Sequence, residues 1–112
     1  MLVHEVASAP AELMKEAYIQ RIVAHHTTPH EAGRVFAQTK PKLAAYTHIV
    51  LLGSEEIPPP TVAEIVAETR QTYSGPLIAG EDLMAFDIGD TVSVRQFKAT
   101  SPHAGKAMML EV

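Results

Sequence analysis

A chain of 112 residues has room for one compact domain, since a domain of this size buries roughly 65% of the surface its unfolded chain exposes. With 46% apolar and 20% charged residues it falls in the ordinary globular range, away from the compositions that stay disordered. A net charge of −4 with nine scattered lysines and arginines lacks the basic footprint of nucleic-acid binding, and the absence of cysteine excludes disulfides, thiolate metal sites and a cysteine nucleophile.

Leu2 to Ala7 is short and aliphatic and predicts a strand. Pro10 opens a predicted helix to about Ala24, in which Met14, Tyr18 and Ile22 recur at i, i+4, i+8 beside Leu13 and Ala17. Thr28-Pro29-His30-Glu31 marks a second helix start: Thr28 caps, Pro29 suits the first helical position, and Glu31 reaches back to complete a capping box. That helix presents Ala32, Val35 and Phe36 on one face and stops near Lys40, because Pro41 disfavours helical geometry in the residue before it.

Leu43 to Leu52 is the most apolar segment, and its Ile49-Val50-Leu51-Leu52 end predicts a strand covered on both faces, with His48 on it or just beyond it. Pro58-Pro59-Pro60 is a stiff linker into a helix capped by Thr61 with Glu64, carrying Val62, Ile65, Val66 and Tyr73 and ended by Gly75-Pro76. Leu77 to Ala79 predicts a short strand and Gly80-Glu81-Asp82 a turn. Val92 to Phe97 predicts an alternating strand after the Gly89-Asp90 turn. The expected fold class is α/β, with parallel pairing among the first strands, one domain over residues 1–98 and a patternless tail over 99–112. The N-terminus carries no basic segment followed by an apolar one, and no apolar run approaches the ~18 residues that cross a bilayer. A cytoplasmic location without a membrane partner is the expectation.

Histidine is the natural zinc ligand in a chain without cysteine, and there are six: His4, His25, His26, His30, His48 and His103. Taken singly, each reads as an ordinary surface or hydrogen-bonded side chain. Position raises two of them. His26 precedes a helix N-terminus, where free amides and the positive dipole end favour an anion such as phosphate, so a histidine there can donate a proton to a leaving group. His48 falls near the carboxyl end of a predicted parallel strand, where open α/β sheets place ligands, and suits a metal. His26 and His30 have i, i+4 spacing but do not share a helix if Thr28 is the cap; His25 is the fallback for His26. Glu5, at a strand end beside His4, either orients a histidine, shuttles a proton, or is an ordinary strand-end charge. Glu81 and Asp82, with no histidine close in sequence, read as a solvated turn.

Val3-His4-Glu5-Val6-Ala7, His26-Thr27-Thr28-Pro29, Thr47-His48-Ile49 and the stretch from Gly75-Pro76 to Leu83-Met84, in this order, resemble the C-terminal region of metallo-β-lactamase-fold hydrolases of the ribonuclease Z type. The resemblance runs from Met1 to about Val94 and implies the C-terminal half of an αββα sandwich. His4-Glu5 is similar to the start of the family's His-Glu-Ala-Thr segment, and His26-Thr27-Thr28 to its His-Ser-Thr motif, which implies catalytic roles for Glu5 and His26. Thr47-His48 is similar to the final zinc-binding histidine, which implies metal ligation by His48. Val6-Ala7 and Thr27 depart from the family pattern, which loosens any expectation of a tRNA substrate.

The family's His-x-His-x-Asp-His signature is absent from the chain, as is its bridging aspartate. A catalytic zinc needs about three protein ligands and an open position. The two zinc ions of the complete family fold are therefore not expected to bind stably to this chain alone. The expected partners are a missing N-terminal half or a second copy, with a small-molecule or phosphoester substrate in the complete protein. The alternative is a non-catalytic half-fold module that oligomerises or binds a partner.

Overall fold

The computed structural model describes residues 1–97, so the expected tail and His103 lie outside the described residues. The architecture is mixed α/β: strands β1 (Leu2–Ser8), β2 (Ala44–Leu51) and β3 (Leu77–Ala79) form one sheet in the order β1-β2-β3, and both pairings are parallel. Helices α1 (Ala17–Ala24) and α2 (Pro29–Thr39) connect β1 to β2, and α3 (Val62–Thr69) connects β2 to β3. Strands β4 (Met84–Ile88) and β5 (Val92–Gln96) form a separate antiparallel hairpin.

Both capping boxes form where the sequence places them. The Thr28 side chain accepts from the Glu31 amide while the Glu31 carboxylate accepts from the Thr28 amide, and Thr61 and Glu64 repeat the arrangement on α3. Helix α2 ends at Lys40, whose φ of 50° is the left-handed conformation common at helix C-termini. Its inner face puts Ala32 and Phe36 into the main core with Val6, Ala44, Tyr46, Ile49, Ile65 and Tyr73, so α2 and α3 cover one face of the sheet. Tyr46 and Thr69 tie that core together. Thr69 Oγ1 donates to the Ile65 carbonyl at 2.8 Å, which leaves the Tyr46 hydroxyl as the donor in its 2.7 Å bond to Thr69 Oγ1. Burial holds the Tyr46 phenol above its usual range despite that bond.

Gly33 is where α2 and α3 meet. A Cβ there would stand 2.9 Å from the Thr69 carbonyl oxygen and would run into the Thr72 hydroxyl, which donates to the His30 carbonyl. Gly33→Ala is therefore expected to destabilise the fold by about 1–3 kcal/mol through overpacking, although alanine is the better helix former. Urea denaturation checks this, and a midpoint equal to or above that of the parent would mean the helices do not approach so closely.

Several expectations from the sequence are corrected. The helix expected from Pro10 to Ala24 is broken: Leu13–Lys15 forms a short 3₁₀ turn, Glu16 is extended at φ −83°, ψ 129°, and α1 starts only at Ala17. The break rotates the buried face. Leu13, Ile19 and Val23 form a second core cluster, while Tyr18 and Ile22, expected on the apolar stripe, are exposed. Helix α3 is shorter than expected, although Tyr73 beyond its end is still buried in the main core. On β2 the fully covered stretch is Ala44–Tyr46 instead of the Ile49–Leu52 end, and these are the residues that have β3 beside them as well as β1. The strand β4 was not anticipated; its Met84, Phe86, Ile88 alternation pairs across the Gly89-Asp90 turn with β5. No helix among the described residues is long and apolar enough to cross a membrane.

Candidate functional site

The β1–β2 register contains the feature that assembles the site. His4 pairs with Tyr46 and Val6 with Ile49, so two residues of β2, Thr47 and His48, stand opposite the single residue Glu5. This is a β-bulge, and His48 holds it open with a φ of 49°. A left-handed conformation costs a β-branched or bulky residue free energy and persists where surrounding structure over-determines it, often at functional sites. His48 thus sits inside the strand, the fifth of its eight residues, and not at its carboxyl end as the sequence reading had it.

Glu5 likewise lies within β1 and not at a strand end. Its carboxylate reaches the loop between α1 and α2: Oε2 accepts from His26 Nδ1 at 2.9 Å and Oε1 accepts from the Thr27 amide at 2.8 Å. An ionised carboxylate can only accept, so the proton of His26 is on Nδ1 and its Nε2 is free to take or give a second. Burial raises the Glu5 pKa, but the hydrogen bonds from His26 and Thr27 together with the charge of His26 outweigh it, and the net shift is downward. Glu5 therefore stays ionised below the usual carboxylate range. The sign of its linkage follows: its stabilising contribution is present above the unfolded-state value near 4.5 and is lost as pH falls through the lowered folded value.

The His26 and His48 rings lie side by side, centroids 6.0 Å apart and tilted by 30°. Glu5, His26 and His48, the three residues singled out from the sequence, are thus brought together from β1, the α1–α2 loop and β2. His25 is exposed at the C-terminal cap of α1, while His26 meets the Glu5 carboxylate. His30 lies in α2 and shares no helix with His26. His4 was not singled out for any positioning part, yet its Nδ1 donates to the Glu5 carbonyl at 2.8 Å and its ring meets Phe36 edge-on.

Two readings from the sequence change here. The amides preceding and opening α2 are mostly engaged within the protein, because Thr27 donates to Glu5, Thr28 and Glu31 complete their capping box, and Pro29 has no N–H. Glu81 and Asp82 are not remote from histidine: they border the same cleft of about 330 Å³ as His48, with Val3, Met84 and Phe86. Chain distance hid this, since β3 lies beside β2 and returns the turn that follows it to the His48 side of the sheet.

Among the described residues no group of three or more His, Asp or Glu side chains is arranged to hold a metal ion. Glu5 takes His26 Nδ1, which leaves His26 Nε2 and the His48 imidazole as the donors of this cluster. Two imidazoles fall short of the about three protein ligands of a catalytic zinc, and no chemical step at this site is derived through a metal. What the chain itself provides is a carboxylate-oriented histidine able to move a proton at Nε2. A scan of the chain against protein-family models finds no match, and a search of curated proteins finds none either.

Proposed function

We propose that the chain is the C-terminal portion of a metal-dependent hydrolase of the metallo-β-lactamase fold, related to ribonuclease Z, in which His26 protonates the leaving group and Glu5 orients it. The observation that carries this reading is the Glu5–His26 hydrogen bond of 2.9 Å set beside His48 on a strained bulge. These are the residues, in the order, on which the family resemblance rests. Carboxylate–imidazole pairing fixes the ring's tautomer and stabilises its protonated form, which general acid catalysis requires. His48 is proposed as one metal ligand, and the others would come from a portion carrying His-x-His-x-Asp-His, a motif this chain lacks. The test is the activity of the chain joined to such a portion; full hydrolytic activity with both histidines replaced would remove the proposal.

A second reading, a half-fold module that self-associates without catalysis, is favoured by apolar exposure. Val3 on β1 is 50% exposed, and the hairpin side leaves Leu83, Ile88 and Phe97 at 49%, 70% and 53%. Apolar surface of this kind is drawn to a partner, whether an upstream half or a second copy. The isolated chain is expected to dimerise or to bind an apolar dye, as measured by light scattering and fluorescence. A compact monomer that melts cooperatively without binding dye would remove the half-fold picture from both readings. The coding sequence upstream then separates them, since a His-x-His-x-Asp-His segment there favours the hydrolase and its absence favours the module.

A further inference from the structure

For the chain by itself, before any further portion is joined to it, we infer that His26 Nε2 and His48 form a two-histidine site for one exchangeable divalent ion such as Zn²⁺, Ni²⁺ or Cu²⁺. Imidazole nitrogens suit these ions, whereas Mg²⁺ and Ca²⁺ take oxygen ligands. A ligating histidine almost always donates its other ring N–H to a carboxylate, a carbonyl or water, which fixes the tautomer and makes the ligating nitrogen more basic. His26 is held in that way. Its Nδ1 donates to Glu5 Oε2 at 2.9 Å, and the other oxygen of the same carboxylate is fixed by the Thr27 amide at 2.8 Å. The lone pair of Nε2 is left for an ion. His48 is brought alongside by the bulge, exposed on it and held there at a φ of 49°.

Metal–nitrogen bonds of about 2.0–2.1 Å put the ring centroids of two imidazoles on one tetrahedral ion roughly 5 Å apart. The His26 and His48 centroids are 6.0 Å apart with the rings tilted by 30°, a gap that small rotations about the side-chain bonds close. The surroundings favour a cation: Glu81 and Asp82 border the cleft that His48 lines, and no lysine or arginine is among its described lining residues. Access is open, since His48 is exposed and the His26 side chain is 23% exposed. Two protein ligands leave the remaining positions to water, so the ion exchanges and a chelator removes it. When a portion carrying His-x-His-x-Asp-His supplies the further donors, the ion at His48 no longer needs Nε2, and His26 takes the proton-transfer role proposed above.

The test is titration of the full 112-residue chain with Zn²⁺, followed by calorimetry and by NMR of the histidine rings. One ion per chain is expected to bind and to shift the His26 and His48 signals together. His26→Ala and His48→Ala should each weaken binding by about tenfold or more, and Glu5→Gln by about tenfold, the lower end of the cost of losing a partner behind a ligand, because glutamine can still accept from Nδ1. His25→Ala and His30→Ala should leave binding unchanged, since His25 is exposed at the end of α1 and His30 lies within α2. Zinc that shifts only other histidines, or that binds as tightly to His26→Ala as to the parent, would overturn the inference. The ring signals of the parent decide this even where a variant fails to fold. Binding needs no turnover, so an inactive joined protein would remove the hydrolase reading and leave this site standing, while failure of the pair to bind zinc would remove the site and not that reading.

Discussion

His26→Ala, introduced into the chain joined to a portion that supplies the remaining metal ligands, is expected to retain its metal and to lose about 10²–10⁴-fold in rate, the usual cost of removing a general acid. His48→Ala is expected to differ in kind, losing metal as measured by elemental analysis after dialysis. The difference follows from the proposed roles: Glu5 orients His26 through Nδ1 for proton transfer, whereas His48 lies exposed on the bulge as the metal ligand. Glu5→Gln should lose less rate than His26→Ala and keep its metal. Glutamine has one acceptor oxygen where Glu5 uses two, so it can satisfy either His26 or the Thr27 amide but not both, and it brings no charge to favour the imidazolium. Its distinguishing readout is rate set against metal content. An undiminished rate in Glu5→Gln, or equal metal content in the His26 and His48 variants with normal activity, would contradict the assignment of roles.

Phe36→Ala is expected to cost about 3–5 kcal/mol, a large share of the roughly 5–15 kcal/mol that holds a domain folded. Phe36 is 0% exposed, and its ring lies 5.6 Å from that of Tyr46 and 5.4 Å from that of Tyr73, with His4 edge-on at 6.3 Å. It is the contact through which α2 grips β1, β2 and the segment after α3, so the cavity left by alanine opens where several elements meet. Collapse around that cavity is hindered because Tyr46 is tethered to Thr69 and Tyr73 to the Pro76 carbonyl. Phe36→Leu, which retains most of the volume, should cost distinctly less. Urea denaturation followed by near-ultraviolet circular dichroism reads both, and a loss below about 1 kcal/mol for the alanine variant would mean that the core repacks freely. His4 links this core to the site: the ring that meets Phe36 also holds the Glu5 carbonyl, so Phe36→Ala is expected to loosen the Glu5–His26 pair as well.

What could be read from the sequence is what local chemistry decides. The Thr28/Glu31 and Thr61/Glu64 boxes close within three residues, the short strand at Leu77–Ala79 is bounded by its own turn signals, and the parallel pairing follows from helices placed between strands. The strand β4 is legible too, in the period-2 run Met84, Phe86, Ile88 between the Gly80-Glu81-Asp82 and Gly89-Asp90 turns, although the expected elements do not include it. The buried face of α1 was not legible, because the extended Glu16 that resets the helix leaves no break in the apolar spacing. Histidines 26 and 48 and Glu5 could be named from their neighbours, but that Glu5 reaches 21 and 22 residues along the chain to His26 and Thr27, and that it consumes an amide an anion would need, is set by tertiary structure. The same holds for the bulge at His48 and for the approach of Glu81 and Asp82 to it. Strand register and the placement of loops over a sheet depend on which distant faces find each other in the core, and a one-residue slip, invisible in any local pattern, turns a side chain from one face of the sheet to the other.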